Sequence, residues 1–145
     1  MLRIIALSFF MAVFSHAAHA QMERTIYQVF EPDSATVVTL DIAGEYEVIA
    51  WAGSNILAET NIKVWHASPV IVKDLIKNGR YAMASKREGN ALSIATKERD
   101  RKPLKTRKGE VTELAKVKFF VPDTFTWPEG AVKQMTKKDP LPAGQ

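Results

Sequence analysis

Residues Ile56–Trp65 (ILAETNIKVW) place Ile56, Ala58, Thr60, Ile62 and Val64 on one side of an extended chain and Glu59, Asn61 and Lys63 on the other. A repeat of two is the repeat of a β-strand, whose successive side chains point to opposite faces; a helix would scatter the same apolar residues around its circumference. The segment therefore reads as a strand with one buried face. The same period recurs in residues 35–42, where Val38, Leu40 and Ile42 oppose Val37, Thr39 and Asp41, and in 110–121, where Val111, Glu113, Ala115, Val117, Phe119 and Val121 share a face. A chain that repeats this period must bury sheet faces against one another.

Turn residues divide these runs. Residues 25–30 (TIYQVF) read as an edge or entry strand halted by Glu31-Pro32-Asp33, and Gly44 ends the segment 35–42. Tyr46, Val48 and Ala50 alternate with Glu47, Ile49 and Trp51; the turn Ala52-Gly53-Ser54-Asn55 then joins this strand closely to Ile56. Residues 80–86 and 91–97 flank Glu88-Gly89-Asn90 as a hairpin. One helix interrupts the pattern: Ser68 is a good N-cap, Pro69 suits the first helical position, and Asn78-Gly79 is a stop, giving a helix over about 69–78. The fold class is all-β, either a two-layer sandwich or a short β-solenoid, because both bury alternate residues.

The first twenty residues have the layout of a secretory signal peptide. Arg3 precedes an apolar run over 4–14, and Ser15-His16-Ala17-Ala18-His19-Ala20 supplies the small residues Ala18 and Ala20 before a cleavage point at Gln21. A membrane-crossing helix needs about 20 apolar residues, so this run targets and does not anchor. The remaining residues divide into one β-rich domain over 21–127 and a Pro/Gly-containing tail over 128–145, expected to be flexible. Without cysteine there is no disulfide, thiolate metal site or lipid-modified N-terminal Cys. The expected location is periplasmic or secreted, with no integral membrane span after cleavage.

The stretch Leu40-Asp41-Ile42, Gly44, Glu47-Val48, Ala50-Trp51-Ala52-Gly53 and Ile56-Leu57-Ala58 resembles the repeat of bacterial adhesin-like β domains of the DUF4097 type. In that family a strand, a glycine, a strand ending near Trp, a turn and another strand recur along β-helix-like sheets. The resemblance implies a fold and an envelope location and brings no catalytic motif. The helix after Trp65 and the basic segment before Glu110 depart from it and interrupt a regular solenoid.

Few residues suit catalysis. His66 is the one histidine beyond the leader, and its nearest acids in sequence, Glu59 and Asp74, lack metal-ligand spacing, so no metal or cofactor is expected. None of Ser34, Ser54, Ser68, Ser85 and Ser93 sits in a nucleophile elbow. Glu45 and Glu47, or Asp41, could serve acid–base work on a glycan, although such acids equally make a solvated strand face. The most distinctive stretch is 97–108 (KERDRKPLKTRK), with seven Lys/Arg against two acids. It makes a local field for a polyanion, or else solubilises a loop and guards a sheet edge. Trp51, Trp65 and Trp127 could together form a platform for sugar stacking; core packing explains Trp51 and Trp65 equally well, and Trp127, beside Pro128, is the candidate exposed aromatic.

These readings converge on an exported, non-enzymatic β domain in the cell envelope with a binding or structural role. Arg99, Arg101, Lys102, Lys105, Arg107 and Lys108 are the expected anion contacts, with Trp127 as an accessory. The partner would be an anionic envelope component or a protein; nucleic acid is disfavoured because the segment lacks interleaved aromatics for base stacking. The alternatives are a carboxylate enzyme acting on an envelope glycan and a small inhibitor that offers an edge strand to its partner.

Overall fold

The computed structural model describes residues 21–130 and 132–140. Ala18 and Ala20 lie outside the described residues, and Gln21 opens them as an exposed residue. Eleven strands and one helix follow: β1 Met22–Phe30, β2 Val37–Asp41, β3 Glu45–Trp51, β4 Ile56–Trp65, α1 Pro69–Lys77, β5 Met83–Glu88, β6 Ala91–Thr96, β7 Lys105–Thr106, β8 Gly109–Glu110, β9 Thr112–Pro122, β10 Phe125–Thr126 and β11 Gln134–Lys137. They form a four-stranded sheet in the order β1-β4-β9-β3, a five-stranded sheet in the order β10-β11-β2-β6-β5, and a small β7-β8 hairpin. The fold is all-β, a two-layer sandwich. The solenoid alternative is not realised, although one step of it survives: β2 runs parallel to β6 and β3 parallel to β9, so the corner at Gly44 carries the chain from one sheet to the other as a coil would. Gly44 takes φ +100° there, a region that favours glycine. The remaining pairs are antiparallel and close the two layers.

The alternation in β4 becomes alternate burial over its whole length, with Ile56, Ala58, Thr60, Ile62 and Val64 all inside. The first half of that face meets the second sheet. Ile56, Ala58, Val117, Phe119 and Val121 pack against Val38, Leu40, Leu92, Ile94 and Met135 in the main core. Strands β4 and β9 run ten and eleven residues, against five and six for β2 and β6, so their far ends outreach the second sheet. Helix α1 covers what is left. Its Val72, with Ile71, Leu75 and Ile76, packs on Ile62 and Val64 together with Tyr81 and Val111 in a second core. The helix begins as its sequence predicts: the Ser68 hydroxyl accepts from the Ile71 N–H at 3.4 Å, Pro69 follows, and Asn78 and Gly79 end it.

Three expectations change. Strands β3 and β4 do not pair directly, because β9 lies between them and hydrogen-bonds to both. Its Val117, Phe119 and Val121 are buried in that interior position, as is the inner row of β4 beside it. Arg80 and Tyr81 lie in the turn after α1 rather than in the hairpin, and β5 begins at Met83. The flexible tail over 128–145 is corrected in its middle: β11 inserts between β10 and β2, with Met135 fully buried and Val132 nearly so. The domain boundary at 127 moves accordingly. Tyr46 fastens the same segment across the sandwich, its hydroxyl donating to the Val132 carbonyl at 2.6 Å. Residues 141–145 of the tail lie outside the described residues.

Candidate binding surfaces

The basic segment leaves β6 and returns through the β7-β8 hairpin to β9, running beside the second core. Leu104 points inward onto that core, and the Val111 N–H donates to the Leu104 carbonyl at 2.8 Å, closing the base of the excursion. His66 holds the same base. Its Nδ1 lies 3.0 Å from the Glu110 carbonyl; a carbonyl can only accept, so this nitrogen carries the hydrogen and donates it. The Thr106 hydroxyl donates to the His66 carbonyl at 2.9 Å. The one histidine of the domain thus anchors a loop, consistent with its backbone at φ +64°.

The six expected anion contacts separate into two groups. Arg99 is turned back on the sandwich, 2.6 Å from the Asp41 carboxylate. The Arg101 guanidinium stacks over the Tyr81 ring at 4.9 Å and is half-buried. Lys102, Lys105, Arg107 and Lys108 are exposed along the hairpin. Arg99 is exposed as well, but its charge is paired with Asp41.

Beneath them lies a cluster that the sequence reading missed. Arg80 donates to both oxygens of Glu113, at 2.8 Å from Nε and 2.7 Å from Nη2, and Nη2 also donates to the Lys102 carbonyl at 2.8 Å. The Tyr81 hydroxyl donates to Glu113 Oε1 at 2.5 Å. Burial alone would raise the Glu113 carboxyl, but the hydrogen bonds from Arg80 and Tyr81 and the charges of Arg80 and Arg101 outweigh it and hold the group below the usual carboxylate range. Burial, then the bond to Glu113, pushes the Tyr81 phenol well up, so it remains a donor. The hydrogen bond to Glu113 likewise raises Arg80. A signal was present: Glu113 shares the inner face of β9 with Ala115 and Val117, and an acid on such a face needs a partner.

Of the acids considered for catalysis, Glu45 and Glu47 line a depression on the outer face of the four-stranded sheet together with Glu59, Lys63, Lys116 and Lys118, whereas Asp41 lies elsewhere, paired with Arg99. Register makes it a ladder of opposite charges. Lys118 stands opposite Glu59 on one side and Glu47 on the other, and Lys116 opposite Glu45. The Glu45–Lys116 and Glu47–Lys118 contacts are 2.9 Å and 3.5 Å. Among the described residues no group of His, Cys, Asp and Glu is placed to hold a metal ion. None of the described helices is long and apolar enough to cross a membrane.

The tryptophans differ in setting. Trp51 folds onto its own turn, with Nε1 donating to the Asn55 carbonyl at 2.9 Å and its ring so close to Gly53 that a Cβ there would meet it at 2.4 Å. Trp127 is half-buried against the main core, beside an open depression shared with Pro128, Lys133 and Thr136. It is less exposed than its place beside Pro128 suggested, because β11 brings chain alongside it. Comparison of the chain with protein-family models, with curated proteins and with solved structures finds no match.

Proposed function

We propose that this chain is a non-enzymatic binding module of the cell envelope whose β7-β8 hairpin engages a polyanion. The observation that carries this reading is the division of the basic segment: Arg99 is ion-paired to Asp41 at the surface and Arg101 is stacked on Tyr81, while Lys102, Lys105, Arg107 and Lys108 are exposed on an anchored loop. Cations fixed in position lose less freedom on binding than cations on a loose tail, and they concentrate a positive field at one end of the molecule. The N-terminal layout supports export, and the strand-Gly-strand-Trp pattern, which spans β2, Gly44, β3 and Trp51, supports an envelope setting. Phosphate-rich lipid headgroups and anionic wall polymers share the required chemistry.

The test is co-sedimentation of the exported protein with isolated envelope membranes and with cell-wall polymer across a salt series. The variant K102Q/K105Q/R107Q/K108Q should lose binding, and R99Q, which removes a charge already paired with Asp41, should retain most of it. Binding should weaken steeply as the screening length shrinks from about 10 Å at 0.1 M salt to about 3 Å at 1 M. Retention of binding by the fourfold variant overturns the reading.

A further inference from the structure

Among the described residues, strand β1 stands at one end of the four-stranded sheet, with β4 as its single sheet neighbour. All nine of its residues pair with β4 in unbroken register, so no bulge twists the strand away from a newcomer. Exposed edges are ordinarily guarded by lysine, proline, bulges or very short length. MERTIYQVF contains neither lysine nor proline. The charges of β1, Glu23 and Arg24, sit together near its start and leave Thr25–Phe30 uncharged, whereas β5 carries Lys86, Arg87 and Glu88, β10 is two residues long, and β3 alternates Glu45 and Glu47 along its first half.

The outer face points the same way. Tyr27 and Val29 are 61 % and 59 % exposed, among the most exposed large apolar residues of the described chain. Val29 continues a row that crosses the whole sheet, for it stands opposite Leu57, Leu57 opposite Phe120, and Phe120 opposite Ile49. This apolar row runs out at the β1 edge.

We propose that the free edge of β1 pairs antiparallel with the same edge of a second copy, on a two-fold axis through Ile26. That register is the one that pairs all nine residues, and it sets Ile26 against Ile26, Thr25 against Tyr27, Arg24 against Gln28, Glu23 against Val29 and Met22 against Phe30. No two like charges stand directly opposite, and an axis at any other residue shortens the overlap. The strand is complementary to itself, which is what an isologous interface requires. The two sheets become one of eight strands, and the main-chain groups of both free edges are satisfied.

The register can be read by charge. Tyr27 of one copy faces Thr25 of the other twice across the axis, so T25K/Y27K sets lysine against lysine at both places, whereas T25E/Y27K sets opposite charges there. Both positions are exposed, and circular dichroism will report whether each variant folds. Sedimentation velocity over a concentration series should give a self-associating wild type, a T25K/Y27K dimer weakened roughly tenfold, and a T25E/Y27K dimer restored toward wild type. A wild type that stays monomeric at about 100 μM, or variants that behave alike, overturns the proposal. Capture of an extended peptide by a monomeric wild type would assign the edge to a different partner and overturns it equally.

Discussion

Glu113 is the residue on which the basic segment depends, although it carries the opposite charge. Its side chain is 11 % exposed and that of Arg80 9 %, so neither ion has water to fall back on if the other is removed. Breaking a buried pair from one side strands the remaining charge, and Glu113→Ala should cost about 3–5 kcal/mol in urea unfolding. Acid should act on the same bond. The folded-state carboxyl titrates below its ordinary value of 4.5. The unfolded chain therefore takes up the proton first as pH falls, so the stability is present above the ordinary carboxylate range and is lost as pH drops through the folded value. Glu113→Gln cannot titrate, so its deficit relative to wild type should be larger at about pH 7 than at about pH 3. Equal deficits at both would show that Glu113 is not charged in the folded protein.

At the level of elements, β11 shows what local reading can and cannot reach. Strand β4, the β5-β6 hairpin and α1 were legible because their causes are local: a period of two, a Gly89-Asn90 turn, a Ser68-Pro69 cap. Strand β11 has four residues and one buried side chain, Met135, among Gln134, Thr136 and Lys137, so it has no period to read. Its cause is distant: the Leu40 N–H donates to the Lys133 carbonyl at 2.8 Å, and the Lys137 N–H to the Thr36 carbonyl at 2.7 Å. The insertion of β9 between β3 and β4 was hidden for the same reason, since each strand's inner face looks alike and neighbour choice is made across the sheet. The basic segment was legible as charge, but the pairing of Arg99 and the stacking of Arg101 required Asp41 and Tyr81, which are remote in sequence. If β11 is part of the core, Met135→Ala should destabilise by about 2–5 kcal/mol, and Gln134→Ala, an exposed neighbour on the same strand, by about 0.5 kcal/mol or less. A silent Met135→Ala would return the segment to the status of a tail.

For the molecule as a whole, the two cores share their walls. Strand β4 gives Ile56 and Ala58 to the main core and Ile62 and Val64 to the second, and β9 divides in the same way, with Phe119 in one and Ala115 against the other. Neither core can lose its packing without exposing a strand that the other needs, so heat should unfold both in a single transition. The hairpin is tied into this unit through His66, Leu104 and the Arg80–Lys102 bond, which couples events on the loop to global stability. A polyanion that binds only the folded hairpin must then raise the melting temperature of the entire domain. At a hundredfold excess over its dissociation constant the gain is about 2.7 kcal/mol, or roughly 10 °C for a domain of this size. An inorganic polyphosphate is a suitable probe, read by calorimetry. The shift should fade in high salt and disappear in K102Q/K105Q/R107Q/K108Q, which changes surface charge without touching the anchoring contacts. A second transition, or a shift that survives in the fourfold variant, would mean that the hairpin melts by itself or that the anion binds elsewhere, and either result separates the loop from the fold that holds it.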